Sequence, residues 1–283
     1  MISIKYSQDW RSVGFTLFTI GLLVTSYKVT IPVLLTPGWI LLLSVFCFSC
    51  CTITHNHMHC RTFRAAICNR IFNLLLTLAK GQTATTIIVP HMKNHHRHHG
   101  REDDWIHPGV SRQQNGLRHI MDYTLHSIVR MYQGRRKAMA PKLSPRQLRD
   151  LRIERFVLVG WIGIGLWVDP VVFIMFTALP WLLAMLFLVA VNLPQHDGCD
   201  PESRYNHSRN FTGVLGNWLF FNNGYHTIHH MIPSLHWSLL PDAHMQMLEG
   251  RMDPQLNHTS LVHYLYSEYF FEKSSRHKMY ESV

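Results

Sequence analysis

The sequence is poor in acidic residues and lacks several motifs that would assign it to a common enzyme class. Asp and Glu number 17, against 27 Lys and Arg and 21 His. HExxH is absent, which argues against a zinc hydrolase, and ExxH is absent, which argues against a helical-bundle di-iron carboxylate protein. Without a Gly-rich loop after a predicted strand, the chain is not expected to bind a dinucleotide. It shows no nucleic-acid-binding module either, so its net charge of +10 needs another explanation.

Cysteine spacing and the first residues exclude two further possibilities. Three of the six Cys lie in an uncharged run, where Cys47 and Cys50 are spaced CxxC but fall inside a predicted membrane span, which does not suit a thiolate metal site. We therefore expect reduced cysteines that serve in packing. The stretch before the first apolar run carries only Lys5 and Arg11, and no small-residue cleavage site closes that run, so a cleaved signal peptide is not expected.

Long apolar runs are what the chain does have. They predict membrane-spanning helices at about residues 12–31, 37–54, 150–168 and 171–193. A spanning helix needs roughly 20 mostly apolar residues, and these runs lack the polar stripe of an amphipathic helix packed in a soluble core. We therefore expect an all-α integral membrane protein in which residues 1–283 form one domain, rather than a soluble protein with four buried helices. The remaining segments, 55–149 and 194–283, would form a helical cap.

The basic residues indicate on which side of the membrane this cap lies. Lys28, near the end of the first run, is the only Lys or Arg from residue 12 to residue 54, and none lies between the last two runs, where Asp169-Pro170 predicts a tight turn. All other Lys and Arg lie in the N-terminal segment, in 60–155 or after residue 194. The positive-inside rule places these regions, and both termini, on the cytoplasmic side of a multi-pass protein. Anionic lipid headgroups then account for the net charge.

Histidine is over-represented and clusters beside the predicted spans. HNHMH at 55–59, HHRHH at 95–99 and HTIHH at 226–230 each place two or three imidazoles on one helix face through i, i+3 and i+4 spacing. Asn192 and His196, after the fourth run, are also four residues apart. A single pair of this kind is usually structural, but three clusters at one membrane face predict a shared metal site. Nine imidazoles are too many for one ion and suit two, and imidazole favours Zn, Cu, Fe and Ni.

The same motifs resemble those of a known family. HNHMH, HHRHH and HTIHH are similar to the three histidine boxes of the membrane fatty acid desaturases, and NLPQH at 192–196 is similar to the Asn and His before their third box. NNGYHTIHH, at 222–230, is especially similar to that third box in its context. The resemblance implies four transmembrane helices under a cytoplasmic cap that holds two non-haem irons and uses O2. The ligands that it implies are His55, His59, His95, His98, His99, His196, His226, His229 and His230.

Other polar residues near the boxes are expected to support these ligands. The resemblance places Asn192 near the irons through a water molecule. A metal-bound histidine usually donates its second ring N–H to an orienting partner, and that role is expected for His57, His91, His96, Asp197 and Asp104. His57 in the first box, and His91 and His96 around the second, also leave alternative ligand registers open. Histidines without box context are expected at the surface or in packing, namely His107, His119, His126, His207, His236, His244, His258, His263 and His277.

The implied reaction is the oxidation of an unactivated C–H bond, for which iron and O2 supply the oxidant. Loss of two hydrogens from neighbouring carbons gives an alkene, and rebound of a hydroxyl gives an alcohol, so substrate positioning decides the product. We therefore expect a fatty acid desaturase that acts on a free acid, an acyl-CoA, an acyl carrier protein thioester or a lipid. Its electrons are expected from a separate ferredoxin, cytochrome or reductase.

Several alternatives stay open at this point. NLPQHDG is also similar to the N-x-x-x-H-x-G segment of membrane alkane hydroxylases, so hydroxylase, ketolase or terminal-alkene-forming chemistry fits the same residues. A metal-binding transporter would need polar or charged residues along a path through the spans, and the four runs have almost none. The basic segment 133–155 either meets a substrate headgroup or lies on anionic lipid, and we favour the lipid.

Overall fold

A computed structural model of the protein describes residues 3–111, 116–137 and 141–271. Within these ranges the chain is mostly helical, with only two very short strands. The expected all-α fold class is thus confirmed in its helical character. His277 and residues 138–140 of the basic segment lie outside the described residues, and the predictions made for them stay predictions.

The bounds of the elements are as follows. The α-helices in the described ranges are α1 (Asp9–Thr25), α2 (Thr36–His59), α3 (Ala66–Lys80), α4 (His96–His98), α5 (Gly116–Arg136), α6 (Pro145–Val168), α7 (Pro170–Phe173), α8 (Leu179–Ala190), α9 (Asn192–His196), α10 (Val214–Leu219), α11 (His226–Met231), α12 (Leu240–Leu248) and α13 (Leu261–Leu265). The π-helical stretches are Val89–His95, Ile174–Ala178 and Tyr266–Phe271. The 3-10 turns are Val33–Leu35, Ala84–Ile88, Pro108–Val110, Trp237–Leu239 and Pro254–Leu256. The strands are β1 (Asn210–Phe211) and β2 (Asn257–His258).

Among the described helices, two continuous runs are long and apolar enough to cross a membrane. They are Val33–His59 and Pro170–His196, each of 27 residues, which corresponds to about 40 Å of helix. A bilayer core is about 30 Å thick. The other two predicted spans, 12–31 and 150–168, overlap α1, which ends at Thr25, and α6, and neither helix meets this criterion. The 17 residues of α1 reach only about 26 Å, and the first turns of α6 are rich in arginine.

Unit 1 comprises the described residues of Met1–Val89 and Lys142–Leu188. In it α1, α2 and α3 pack against one another, and α6 packs against α3. The buried Glu154 carboxylate of α6 accepts hydrogen bonds from the Asn73 side chain (3.2 Å) and from the backbone and hydroxyl of Thr85 (2.8 and 2.7 Å). Its charge is therefore compensated by donors from two other segments, as a buried carboxylate requires.

Unit 2 comprises the described residues of Pro90–Pro141 and of Val189–Val283. Its core contains a cluster of five buried hydrophobic residues: Tyr123, Leu193, Phe211, Tyr264 and Tyr269. The strands β1 and β2 pair in parallel, with Asn210 opposite Asn257. The Tyr123 hydroxyl, buried in α5, donates to the Ile106 carbonyl at 2.7 Å. This small core holds together the segments that carry most of the histidines.

Candidate metal centre

The third histidine cluster lies on α11, as its spacing predicts. His226, His229 and His230 are all buried and share one α-helix. The beginning of this helix is fixed from β1, since the Thr227 backbone N–H donates to the Asn210 side-chain oxygen (2.9 Å) and the Asn210 amide donates to the Thr227 hydroxyl (3.0 Å). Asn210 therefore pairs an N–H of the first turn that has no partner within the helix.

His196, at the end of α9, is held by backbone contacts. Its Nδ1–H donates to the His207 carbonyl at 3.3 Å, which leaves the Nε2 lone pair available for a metal. The buried Arg209 guanidinium donates to the carbonyls of Pro194 (2.6 Å) and Asp197 (2.9 Å) and lies 4.6 Å from the centre of the Tyr264 ring. A cation that pairs the last carbonyls of a helix stabilises its C-terminus. Arg209 thus fixes the helix end from which His196 projects.

The second cluster follows a different backbone course from the predicted one. Val89–His95 is a π-helix, in which a residue and the fifth one after it come together. The Nε2 atoms of His91 and His96 accordingly lie 2.9 Å apart. The helix then ends at His98, and His99 adopts a left-handed conformation with φ 54°. His99 therefore does not continue the helix that begins at His96.

Two groups of imidazole nitrogens result within unit 2. In the first, donor atoms of His95, His196, His226 and His230 all lie within 4.8 Å of one another, and all four side chains are buried. The Nε2 separations are 3.2 Å from His95 to His230, 3.0 Å from His230 to His226 and 2.9 Å from His226 to His196. These side chains come from three separate segments of the chain.

The second group contains His91, His96 and His229, again with donor atoms within 4.8 Å of one another. The His229 Nε2 lies 3.0 Å from that of His96, and the rings of His91 and His229 are nearly parallel, at 9°. His229 and His230 are adjacent on α11 and belong to different groups. One helix thus contributes imidazoles to both groups, an arrangement that could hold two neighbouring ions.

The spacing of these nitrogens suits a transition-metal ion. Imidazole nitrogen bonds zinc at about 2.0–2.1 Å, so two ligands at right angles around an ion of that size lie about 3.0 Å apart. The observed separations of 2.9 to 3.2 Å match this value. Lone pairs that face one another at this distance repel unless a proton or a cation lies between them. The donor set therefore fits two ions ligated mainly by histidine.

The carboxylate of Asp104 contacts one histidine of the first group directly. Its fully buried carboxylate accepts from His95 Nδ1 at 2.6 Å and from the backbone N–H groups of Gly100 (2.9 Å) and Ile106 (3.0 Å). Burial alone would raise the pKa of this carboxyl, but His95 and the two N–H groups together hold the pKa well below its ordinary value. Burial, followed by the charges of neighbouring histidines, lowers the pKa of His230 well below its usual range. Neutral imidazole is the form that binds metals.

Some predicted residues lie apart from these two groups. Among the described histidines, His98 and His99 are in neither, although the His99 ring lies 4.2 Å from that of His230. The buried His57 Nδ1 contacts Thr62 (2.9 Å), and its ring packs on Phe72. This contact is typical of a packing residue.

Four further residues are placed by local contacts. The Asn192 side chain, at the start of α9, donates to the Val189 carbonyl at 3.4 Å. The Asp197 carboxylate, at the end of α9, accepts from the Tyr269 hydroxyl at 3.4 Å. In unit 1, His55 and His59 share one face of α2, with ring centres 4.9 Å apart, as their spacing predicts.

His207 is the site residue that sequence reasoning missed, because it was assigned to the surface or to packing. It is buried, its carbonyl orients His196, and its ring lies 4.5 Å from that of His99. Its Nδ1 donates to the carbonyls of Ser203 and Arg204. Because His207 contacts His196 through its backbone carbonyl, the spacing of side chains in the sequence contains no signal for this contact.

Comparison with known proteins bears directly on this centre. A family model described as fatty acid desaturase matches residues 32–260, which is well over half of the chain and includes every histidine of the two groups. No curated protein and no solved structure matches the chain. The histidine clusters, the two apolar helical runs and this match agree with one another, and the chain belongs to the fatty acid desaturase family.

Proposed function

We propose that the chain is an O2-dependent di-iron oxidase that introduces a double bond into a fatty acyl chain. Membership in the family implies an oxidoreductase. The observation that carries the finer proposal is the pair of adjacent imidazole groups that share α11. A His-dominated dinuclear site suits iron among the metals that imidazole favours.

The proposed ligand set follows the geometry of unit 2 rather than the predicted register of the second box. It replaces His98 and His99 by His91 and His96, which lie within the two groups. Two predictions based on the family resemblance remain. One is that His55 and His59 supply further ligands, and the other is that Asn192 acts through a water molecule. The proposed ligands from unit 2 are His91, His95, His96, His196, His226, His229 and His230.

Iron, when bound, would supply the oxidant that attacks an unactivated C–H bond. The chain's own residues hold the ligands in the required tautomer. Asp104 accepts a hydrogen bond from the Nδ1–H of His95, and the His207 carbonyl accepts one from the Nδ1–H of His196. The Nε2 lone pairs of both histidines are therefore directed toward the first group. Burial of the first group keeps bulk water away from these nitrogens.

We further propose that α1, α2, α6 and the run from α7 to α8 all span the membrane and that the rest forms a cytoplasmic cap of the same domain. The two long apolar runs and the family support this arrangement. The bilayer would then present the acyl substrate directly to the site, whether as a free acid, a thioester or a lipid. Electrons would come from a separate ferredoxin, cytochrome or reductase.

The test is to express the full chain in a host whose fatty acids are known and to analyse its total fatty acids by mass spectrometry, with iron counted on the purified protein. We expect a new unsaturated acid and two irons per chain as implied by the two imidazole groups. His230→Ala should abolish the product and lower the iron content, whereas His263→Ala, at an exposed position of α13, should change neither. An iron-loaded, reduced protein that leaves the host lipids unchanged would contradict the proposal, and an alcohol product would instead assign it to the hydroxylases.

A further inference from the structure

The helix α5 has one face that anchors it in unit 2. His119, Tyr123, Ser127 and Gly134 are buried on this face. The Trp105 ring occupies the space that a Cβ at position 134 would need. The orientation of α5 about its own axis is therefore fixed by packing, and its opposite face is fixed with it.

That opposite face is an exposed apolar stripe. Its large side chains are between 46% and 64% exposed, and they are Leu117, Met121, Leu125, Val129 and Tyr132. At 3.6 residues per turn they fall within an arc of about 120° and extend over about 22 Å of helix. Isolated exposed apolar residues are ordinary, but a contiguous stripe marks an interaction surface.

Arginines lie at both ends of this stripe. Arg118 is exposed at its N-terminal end, and Arg135 and Arg136 are exposed at its C-terminal end. Asp122, the only acidic residue of α5, is engaged with Ser111 and His126. The α5 surface around the stripe is thus cationic at both ends.

The C-terminal part of the stripe borders an open concavity of about 620 Å³, lined by Ile128, Val129, Tyr132, Gln133 and Arg136. At the edge of this concavity, the Arg136 guanidinium donates a hydrogen bond to the Tyr132 hydroxyl at 2.9 Å. A tyrosine with an apolar ring and a polar tip is typical of a membrane–water interface. The concavity thus combines an apolar floor with a cationic rim, which matches an acyl chain below a phosphate.

We propose that α5 lies flat in the headgroup region of an anionic bilayer, with the stripe of Leu117, Met121, Leu125, Val129 and Tyr132 in contact with acyl chains. The arginines of α5 argue against a position across the membrane. In a helix that lies along the surface, long basic side chains at the ends of the apolar face can reach lipid phosphates while that face stays in contact with acyl chains. Pairing of two such stripes from two copies of the chain would place arginines opposite arginines in a parallel or an antiparallel arrangement. Anionic phospholipid instead complements both the apolar and the cationic parts of the surface.

The experiment uses the full chain in nanodiscs of phosphatidylcholine mixed with phosphatidylserine. A benzophenone amino acid replaces Leu125 on the stripe or, as the matched control, the adjacent His126, which is turned about 100° around the helix. After illumination, the captured molecules are identified by mass spectrometry. We expect Leu125 to capture phospholipid several-fold more than His126 does, with phosphatidylserine above its share of the bilayer.

A second variant isolates the electrostatic contribution. Combining Arg118→Gln, Arg135→Gln and Arg136→Gln should reduce the captured phosphatidylserine to its share of the bilayer, because each basic residue near the surface favours anionic lipid by about five-fold. Equal capture at Leu125 and His126, capture of a second copy of the chain or of another protein at Leu125, or no excess of phosphatidylserine would overturn the proposal. The readout needs neither iron nor turnover, so its failure is distinguishable from failure of the proposed oxidase function.

Discussion

The segments 91–99 and 226–230 contain the same HxxHH pattern, but their backbones differ. In α11 the pattern lies on a regular α-helix, and all three histidines enter the two imidazole groups. In 91–99 the backbone is π-helical up to His95 and leaves the helix after His98, so that His91 and His96 are grouped and His98 and His99 are not. Identical residue spacing thus gives different ligand sets when the helical period differs.

Paired substitutions in the second cluster give the largest expected effect on this comparison. His96→Ala should remove iron and abolish turnover, because His96 Nε2 lies within 3.0 Å of His91 and of His229. His98→Ala, only two residues away, should keep its iron and most of its activity. Iron content and product formation of the two purified variants check this. The regular-helix register predicts the reverse result, so a loss of iron in His98→Ala with full iron in His96→Ala would reject the π-helical assignment.

A smaller effect is expected from Asp104, the carboxylate that contacts His95 of the second cluster. Asp104→Asn removes the charge that accepts the His95 Nδ1 proton, and loss of such an orienting partner typically lowers metal affinity or activity by about 10- to 100-fold. Competition with a chelator measures the affinity, and the Mössbauer spectrum reports the changed ligand. The control is Asp103→Asn, because its side chain is exposed beside the buried one. Equal chelator curves for both variants would show that Asp104 does not act on the metal through His95.

The smallest expected effect concerns the scaffold of the third cluster. Asn210→Ala leaves the Thr227 N–H at the start of α11 without its partner, which should cost about 1–3 kcal/mol of unfolding free energy. Detergent-solubilised protein unfolded by denaturant measures this change. Asn257→Ala, on the exposed opposite position of the strand pair, should unfold like the unchanged protein. If the two variants were equally stable, the side chain of Asn210 would not be what fixes the third cluster.

Much of the fold and part of the site could be predicted from the sequence. Apolar runs predicted helices at all four positions, and i, i+3 and i+4 spacing predicted the shared faces of α11 and of the His55–His59 pair. Asp104 was expected to orient a ligand, and it contacts His95. These features depend on local spacing within regular α-helix, which sequence periodicity reports directly.

What could not be predicted depends on backbone geometry. The sequence left two registers open around the second box, and spacing alone could not predict the π-helical course of Val89–His95, which brings His91 and His96 together. The carbonyl of His207 acts on His196 from eleven residues away and owes nothing to its own side chain. The exposed stripe of α5 was also missed, because periodicity shows that a helix has an apolar face but not whether that face is covered.

The π-helical stretch explains how the second box can differ in length from the third and still present its histidines together. His91, His95 and His96 read HxxxHH, which is the HxxHH of α11 with one residue added. A wider helical turn absorbs such an insertion without rotating the flanking side chains away. Within 91–99, a search for HxxHH without a gap therefore finds only 95–99, whereas a search that allows one extra residue also finds His91, His95 and His96, which the structure places in the two imidazole groups.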